Sequence, residues 1–174
     1  MSVTPTNTQP LQQFSTFQLN TIMNLAFGND KGDKRQPNWE SIERQAKIML
    51  SEANEVMKAV NERNFIQLID GIGDVTTTND GLAHITGVNG DTVLRCVFDS
   101  NMSKFCANQA EVDATIEKYA ALGVELTVHG EFPFAYVRSA KEQQLNGETI
   151  PAGKFLKGIN YREPDFTPVW TKED

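Results

Sequence analysis

Two consecutive helical patterns, joined by a short break, constrain the fold of this chain more than any other feature. In the first pattern apolar residues recur at intervals of three and four, forming one stripe on a helix: Ile42, Ala46, Met49, Ala53, Val56, Met57 and Val60. The second pattern, over residues 65–85, has its own stripe: Phe65, Leu68, Ile72, Val75 and Leu82. Because the break is short, we expect two antiparallel neighbouring helices.

Four carboxylates lie on these two helices. Glu52 and Glu55 are three residues apart at the edge of the first stripe, and Asp70 and Asp74 are four apart opposite the second. Antiparallel pairing can bring all four together. Like charges repel, so such a cluster is stable only with protons or cations among them, and Mg²⁺ takes oxygen ligands of this kind. An ordinary solvated helix face is the alternative interpretation of either pair.

The helix face that carries the two aspartates continues through Thr77, Gly81 and His84. Small residues on this face leave room for a metal, for water or for a close backbone approach, although glycine costs a helix up to about 1 kcal/mol relative to alanine. We interpret His84 as a packing histidine held by a hydrogen bond.

Helices are also expected on either side of this pair. A capping box at Ser15 and Gln18 predicts the start of a first helix after a loose arm of residues 1–13. A fourth helix is expected from Thr92 to about Phe105. The pattern therefore predicts a mainly α fold whose core, residues 1–107, is a four-helix bundle.

The remainder, residues 108–174, is expected to be an appendage that packs on this core. It contains a short helix from Glu111 to Leu122 and a small β-hairpin, in which Pro133 favours an edge position for the second strand. The tail after Gly153 is rich in glycine and basic residues, and two interpretations are open: a solvated tail, or a segment that covers a phosphate site.

Composition excludes several classes of protein. The chain of 174 residues has a formal charge of −7, which argues against a general nucleic-acid-binding surface. Neither a secretory signal nor an apolar run near the length of a membrane span is evident, so we expect a cytoplasmic protein without a membrane partner. Cys96 and Cys106 are expected to be reduced, partly buried thiols.

Three motifs occur in order along the chain. The first combines Ser51-Glu52-x-x-Glu55 with Asp70-Gly-Ile-Gly-Asp74. The second is Ser100-Asn-Met-Ser-Lys104, and the third is Gly-Lys-x-x-Lys157-Gly-x-Asn-Tyr161-x-x-Pro164-Asp165. This succession resembles the MazG-like nucleotide pyrophosphohydrolases, in particular their small bacterial and bacteriophage members. The match runs from about Phe14 to Phe166 and is least familiar over residues 111–140.

The resemblance implies Mg²⁺-dependent cleavage of a nucleoside triphosphate to the monophosphate and pyrophosphate, with Mn²⁺ able to substitute. It implies Glu52, Glu55 and Asp74 as metal ligands and catalytic acids, with Asp70 as a fourth acid of the site. It implies substrate binding by Asn101, Lys104, Lys157 and Tyr161. It also implies a homodimer or homotetramer, in the host cytoplasm if a phage encodes the chain, and candidate substrates are dUTP, dCTP and dGTP.

Two residues depart from the family pattern. Ser51 stands where many members have a first glutamate, and Gly71 stands where many have a glutamate three residues before the final aspartate. These departures favour an alternative of a different class, a non-catalytic helical interaction module with a degenerate acidic site. A phosphoribosyl-ATP hydrolase is a third interpretation, against which the long C-terminal appendage argues.

Overall fold

The computed structural model describes residues 13–171, and the expected loose arm of residues 1–13 lies outside this range except for its last residue. The protein is mainly helical with a small antiparallel strand region. The helices are α1 (Thr16–Ala26), α2 (Trp39–Asn61), α3 (Phe65–Thr86), α4 (Gly90–Met102), α5 (Gln109–Ala120) and α6 (Thr167–Thr171). The strands are β1 (Leu126–His129), β2 (Tyr136–Ser139), β3 (Gln143–Leu145), β4 (Glu148–Ile150) and β5 (Phe155–Leu156).

Local capping explains where the first three helices begin. Ser15 caps α1 through the predicted capping box, in which the Ser15 hydroxyl accepts from the Gln18 N–H and the Gln18 side chain accepts from the Ser15 N–H. Asn38 and Asn64 cap α2 and α3 by accepting a hydrogen bond from the third residue that follows each of them. The prediction of these three helices is therefore confirmed.

Helix α4 begins earlier than the sequence pattern predicts. The side chain of Asn89 accepts a hydrogen bond from the Thr92 N–H at 2.9 Å, as an N-cap does, so Gly90 belongs to the first turn of the helix. The preceding helix, α3, ends at Gly87, whose left-handed φ of 75° is typical of a C-terminal cap. Helix α4 also ends at Met102, three residues before the predicted Phe105. After Met102 the Lys104 and Phe105 N–H groups donate to the carbonyls three residues earlier, so the chain forms separate turns and not a further helical turn.

The strand region is larger than the expected single hairpin. Strands β1, β2 and β5 form an antiparallel sheet in that order, and β3 and β4 form a separate hairpin at the Asn146-Gly147 turn. The prediction that Pro133 places the second strand at an edge is wrong, since β2 is central in its sheet. Pro133 precedes the first residue of β2, so its missing N–H removes no ladder hydrogen bond.

Contacts divide the described chain into two compact units. Unit 1 consists of residues 13–93 and 167–171, and unit 2 consists of residues 94–166. In unit 1, α3 packs against α2 and against α1. The four-helix-bundle core and the division at residues 107 and 108 stay predictions. Within residues 13–171, no helix combines the length and apolar character needed to cross a bilayer.

Unit 2 has a closed apolar core beneath its sheet. Val137 on the central strand is fully buried, and Leu156 opposite it on β5 is nearly so. They pack with Tyr119, Val124 and Ile150. Cys106, Val112 and Ala135 form a second buried cluster. Both cysteines are unpaired, as predicted, but they are buried rather than only partly buried.

Candidate functional site

The register of α2 against α3 determines where the four predicted acids lie. The Gln45 side-chain amide donates to the Thr78 carbonyl at 3.1 Å, near the start of α2 and the end of α3. Toward the other ends of the helices, a Cβ added at Gly71 would lie 2.8 Å from Cγ2 of Val56. The helices are therefore antiparallel, and the stretch of α2 between these contacts, with Glu52, runs beside the stretch of α3 that carries Asp74.

The four carboxylates are close enough to act on one another. Partial burial raises the pKa of Glu52, and the negative charges of Glu55, Asp74 and Asp70 raise it further, in that order. Glu52 is partly exposed and the other three are exposed. The structure thus places Glu55, Asp70 and Asp74 near enough to Glu52 for their charges to act on it, while the role of the four acids as ligands stays a prediction.

Carboxylate oxygens are the donors that a hard divalent cation takes. In the described residues, however, no three Asp, Glu, His or Cys side chains converge closely enough to hold an ion by themselves. Mg²⁺ does not need such a cage, because it is usually bound by one or two carboxylates, by water and by substrate phosphates. The donor set on α2 and α3 fits that mode of binding in its chemistry.

Close helix packing gives a physical reason for one departure from the family pattern. Gly71 is buried, and the predicted contact of its added Cβ with Val56 leaves no space for a glutamate in this register. Gly81 is similar, since a Cβ there would lie 2.8 Å from the Gln45 amide nitrogen. These two glycines therefore allow α2 and α3 to approach closely. Ser51 is exposed, and nothing in its surroundings explains its presence.

The other four predicted site residues lie in unit 2. The Lys104 ammonium donates to the Asn101 side-chain oxygen at 2.7 Å. Lys157 lies 3.0 Å from one oxygen of Glu163, and the Tyr161 hydroxyl donates to the other at 2.7 Å. The Lys157 ammonium also lies 4.0 Å from the centre of the Tyr161 ring. The Tyr161 hydroxyl and the Lys157 ammonium lower the pKa of Glu163, and Glu163 in turn raises that of Lys157.

Two of the sequence motifs meet in unit 2. The buried Ser100 hydroxyl donates to the Arg162 carbonyl at 2.8 Å, and the Arg162 N–H donates to the Ser103 hydroxyl at 2.9 Å. The Gly158 N–H donates to the Lys104 carbonyl at 3.1 Å, where an added Cβ would lie 2.6 Å from that oxygen. The segment that follows β5 is therefore fixed on the end of α4. The backbone of Gly158 and Arg162 thus has partners in the Ser100–Lys104 motif, although most side chains of this segment are exposed to solvent.

A buried polar network in unit 1 was missed by the sequence interpretation. Asp80 is buried and accepts from the Asn20 amide at 2.9 Å, and Asn24 donates to the Asn20 carbonyl on the same helix. His84 is fully buried, as expected of a packing histidine, with Nε2 2.9 Å from the Asn29 carbonyl oxygen. Its Nδ1 has no hydrogen-bond partner in the described structure. Asn20 and Asn24, four residues apart on a helix, are the signal that could have indicated this network.

Glu163 was also missed. It lies two residues after Tyr161 in the closing motif, and its charge opposes the anion that the neighbouring lysine was predicted to bind.

A scan against protein-family models and a search of curated proteins both find no match to this chain. The functional interpretation therefore depends on the residues themselves.

Proposed function

We propose that this protein is a MazG-like, Mg²⁺-dependent pyrophosphohydrolase that cleaves a deoxynucleoside triphosphate to the monophosphate and pyrophosphate. The observation that supports the proposal is the antiparallel register of α2 and α3, which places Glu52 near Glu55, Asp70 and Asp74, whose charges help to raise the pKa of Glu52. Repulsion among Glu52, Glu55, Asp70 and Asp74 disfavours this arrangement unless a cation or protons offset it. A divalent cation is the partner that the four acids suit.

Each residue has a chemical role in this proposal. When bound, Mg²⁺ neutralises triphosphate charge and activates a water. Glu52, Glu55 and Asp74 are the proposed ligands, and Asp70 completes the acidic face. A carboxylate beside the metal can take the proton from the attacking water. The new oxygen–phosphorus bond then forms as the bond to the departing pyrophosphate breaks.

The proposed substrate contacts are those of unit 2. Asn101 and Lys104 are proposed to hold sugar or phosphate, and Lys157 and Tyr161 to hold phosphate. Their common location is supported by the hydrogen bonds that fix the closing motif on the end of α4. Phosphate binding by Lys157 requires the Glu163 carboxylate to move or to share the ammonium, since the two lie 3.0 Å apart.

We also propose that the helical core is completed by a second copy of the chain, as a homodimer or a homotetramer. The four apolar residues that fall outside the main stripes are all exposed: Ile48 by 43%, Leu50 by 61%, Ile66 by 75% and Ile69 by 53%. Large apolar patches of this kind are uncommon on monomers. Two-fold pairing is the commonest way to cover them, and it supplies the further helices that a four-helix bundle needs.

The alternative is a non-catalytic helical interaction module. Two observations favour it: the same exposed apolar surface would suit a protein partner, and Ser51 and Gly71 leave the acidic motif incomplete. A screen of the deoxynucleoside triphosphates with Mg²⁺ separates the two functions. The enzyme is expected to consume at least one of them, with dUTP, dCTP and dGTP as first candidates. An interaction module would leave the whole panel intact.

A further inference from the structure

Unit 2 contains a cavity of about 430 Å³ that the acidic face of α2 and α3 does not contribute to. Its walls come from α5, from the β3–β4 hairpin and from the segment at β5. This volume lies within the range of small-molecule sites, which is about 300–1,000 Å³.

The charges that line the cavity are mostly positive. Lys118, Lys154 and Lys157 line it together with one carboxylate, that of Glu148. This is the reverse of the whole chain, whose formal charge is −7. In the described structure neither Lys118 nor Lys154 forms an ion pair, whereas Lys157 is shared with Glu163. Two ammonium groups are thus available to an anion that enters.

The base of the cavity is apolar and fixed. Tyr119 is 4% exposed, and its hydroxyl donates to the Lys157 carbonyl at 3.2 Å, which ties α5 to the end of β5. The Lys118 ammonium lies 5.3 Å from the centre of the Tyr119 ring, within the range of a cation–π contact. Ile150 and Leu156 are buried beside them. Positive groups are therefore held around an apolar base, which suits a small anion better than a broad protein surface.

We propose that this cavity binds a small polyphosphate, either free pyrophosphate or the polyphosphate chain of a nucleotide. Lysine is a frequent ligand of phosphate because it offers a compact charge and three donors. Because Lys157 is already paired with Glu163, the available charges are Lys118 and Lys154 against the single carboxylate of Glu148, and their excess of positive charge favours an anion. The cavity shares Lys157 with the proposed substrate contacts, and in that respect it rests on the proposed function, but none of its lining residues comes from the acidic helices α2 and α3.

The test is isothermal titration calorimetry with pyrophosphate in EDTA, which removes binding that needs a divalent cation. The native chain is expected to bind, and the double variant Lys118→Gln/Lys154→Gln to bind at least about tenfold more weakly. Lys141→Gln, a matched charge loss in unit 2 outside the cavity, is expected to leave the affinity unchanged. Glu148→Gln is expected to tighten binding, because it removes the opposing charge.

A deoxynucleoside triphosphate and its unphosphorylated nucleoside, titrated in the same buffer, distinguish the two sources of polyphosphate. Tighter binding of the triphosphate than of pyrophosphate assigns the cavity to a nucleotide, and the reverse assigns it to pyrophosphate. Absence of pyrophosphate and triphosphate binding would overturn the proposal, as would an equal loss in Lys141→Gln and the double variant. Each single lysine variant, checked by circular dichroism, provides the same comparison if the double variant unfolds. Loss of hydrolysis in an acidic-face variant leaves these titrations unaffected, so the two proposals fail separately.

Discussion

The two compact units solve the problem of burying apolar residues in different ways. In unit 2, Val137, Tyr119 and Leu156 are almost inaccessible, and each packs in a cluster that the unit itself supplies. In unit 1, Leu50 and Ile66 remain more than half exposed on helices that carry the predicted acids. Unit 2 thus has buried apolar clusters of its own, although Leu94 and Phe98 are more than half exposed there as well. Under the proposed assembly, the exposed apolar residues of the acidic helices are the ones that a second copy of the chain would cover.

Removing acids from unit 1 is expected to have the largest effect on function. Glu52→Gln and Asp74→Asn should each reduce turnover by at least about 10²-fold, the scale of a lost general base or metal ligand. Both should keep or raise the thermal stability in EDTA, because they relieve repulsion among four carboxylates. Pyrophosphate release and melting temperature measure the two outcomes.

Glu43→Gln is the matched control for these variants. Glu43 lies on the same helix, is exposed and pairs with Lys47 four residues later. An exposed pair of this kind contributes only about 0.3–0.5 kcal/mol to the free energy of unfolding. Because Glu43 is not one of the four proposed acids, turnover should be unchanged. Near-normal turnover of Glu52→Gln at saturating Mg²⁺ would instead remove Glu52 from the proposed site.

Charge placed on the exposed apolar surface tests the need for a partner. Leu50→Glu and Ile66→Glu are expected to shift the native oligomer toward the single-chain mass of 19.4 kDa, because an interface disfavours an unpaired buried charge. Val128→Glu is the matched control in unit 2, where Val128 is 45% exposed on β1. Light scattering at micromolar concentration should show no change for it. A native chain that is itself a stable, active monomer would contradict the assembly proposal.

Two neighbouring glycines test the packing of α2 against α3. Gly71→Ala places a Cβ 2.8 Å from Val56 and should destabilise the protein by about 1–3 kcal/mol. Gly73→Ala meets no atom within 4 Å and should stabilise the helix by about 0.5–1 kcal/mol. Chemical denaturation measures both. A change of the same sign in the free energy of unfolding for both substitutions would show that the helices do not approach as closely as described.

Acid should affect the two units in opposite directions. The pKa of Glu52 is raised above 4.5, so its ionisation lowers stability as pH rises from 4.5 through the raised value. The pKa of Glu163 is lowered below 4.5, so its contribution is present above 4.5 and is lost as pH falls through the lowered value. Both groups are exposed, and the effects should be small.

Melting curves over this pH range test the prediction by difference. The melting temperature of the native chain minus that of Glu52→Gln should fall as pH rises. The melting temperature of the native chain minus that of Glu163→Gln should increase as pH rises. Differences of the same sign in both variants would contradict the assigned environments.

The sequence predicts the helices better than it predicts the sheet. Helix α1 was predicted from the capping box at Ser15, and α2 and α3 were predicted from their apolar stripes. These signals are local: a capping side chain acts on its own next turn, and a stripe lies within one helix. The central position of β2 could not be predicted, since it depends on pairing with β5 across a long stretch of chain. Only two residues of β5 pair, which is too short for a recognisable alternation.

The candidate site shows the same limit. Spacing on two helices was sufficient to predict that the acids share a face, because both helices are regular and their connection is short. Glu163 was missed because Lys157 reaches it around a turn, outside any regular helix or strand spacing. Asp80 was missed because its partner Asn20 is distant in sequence and is an uncharged amide. Gly71 was interpreted as a missing acid, and the structure gives it a packing reason through Val56.

Phosphorus NMR of a deoxynucleoside triphosphate incubated with the native chain and Mg²⁺ identifies the bond that is cleaved. We expect the resonances of a nucleoside monophosphate and pyrophosphate in equal amounts, and no cleavage in EDTA, since the four carboxylates are proposed to act with a divalent cation. Release of a nucleoside diphosphate and inorganic phosphate would show that the protein cleaves a different phosphoanhydride bond. An unchanged triphosphate spectrum across all the deoxynucleotides would contradict the enzymatic function.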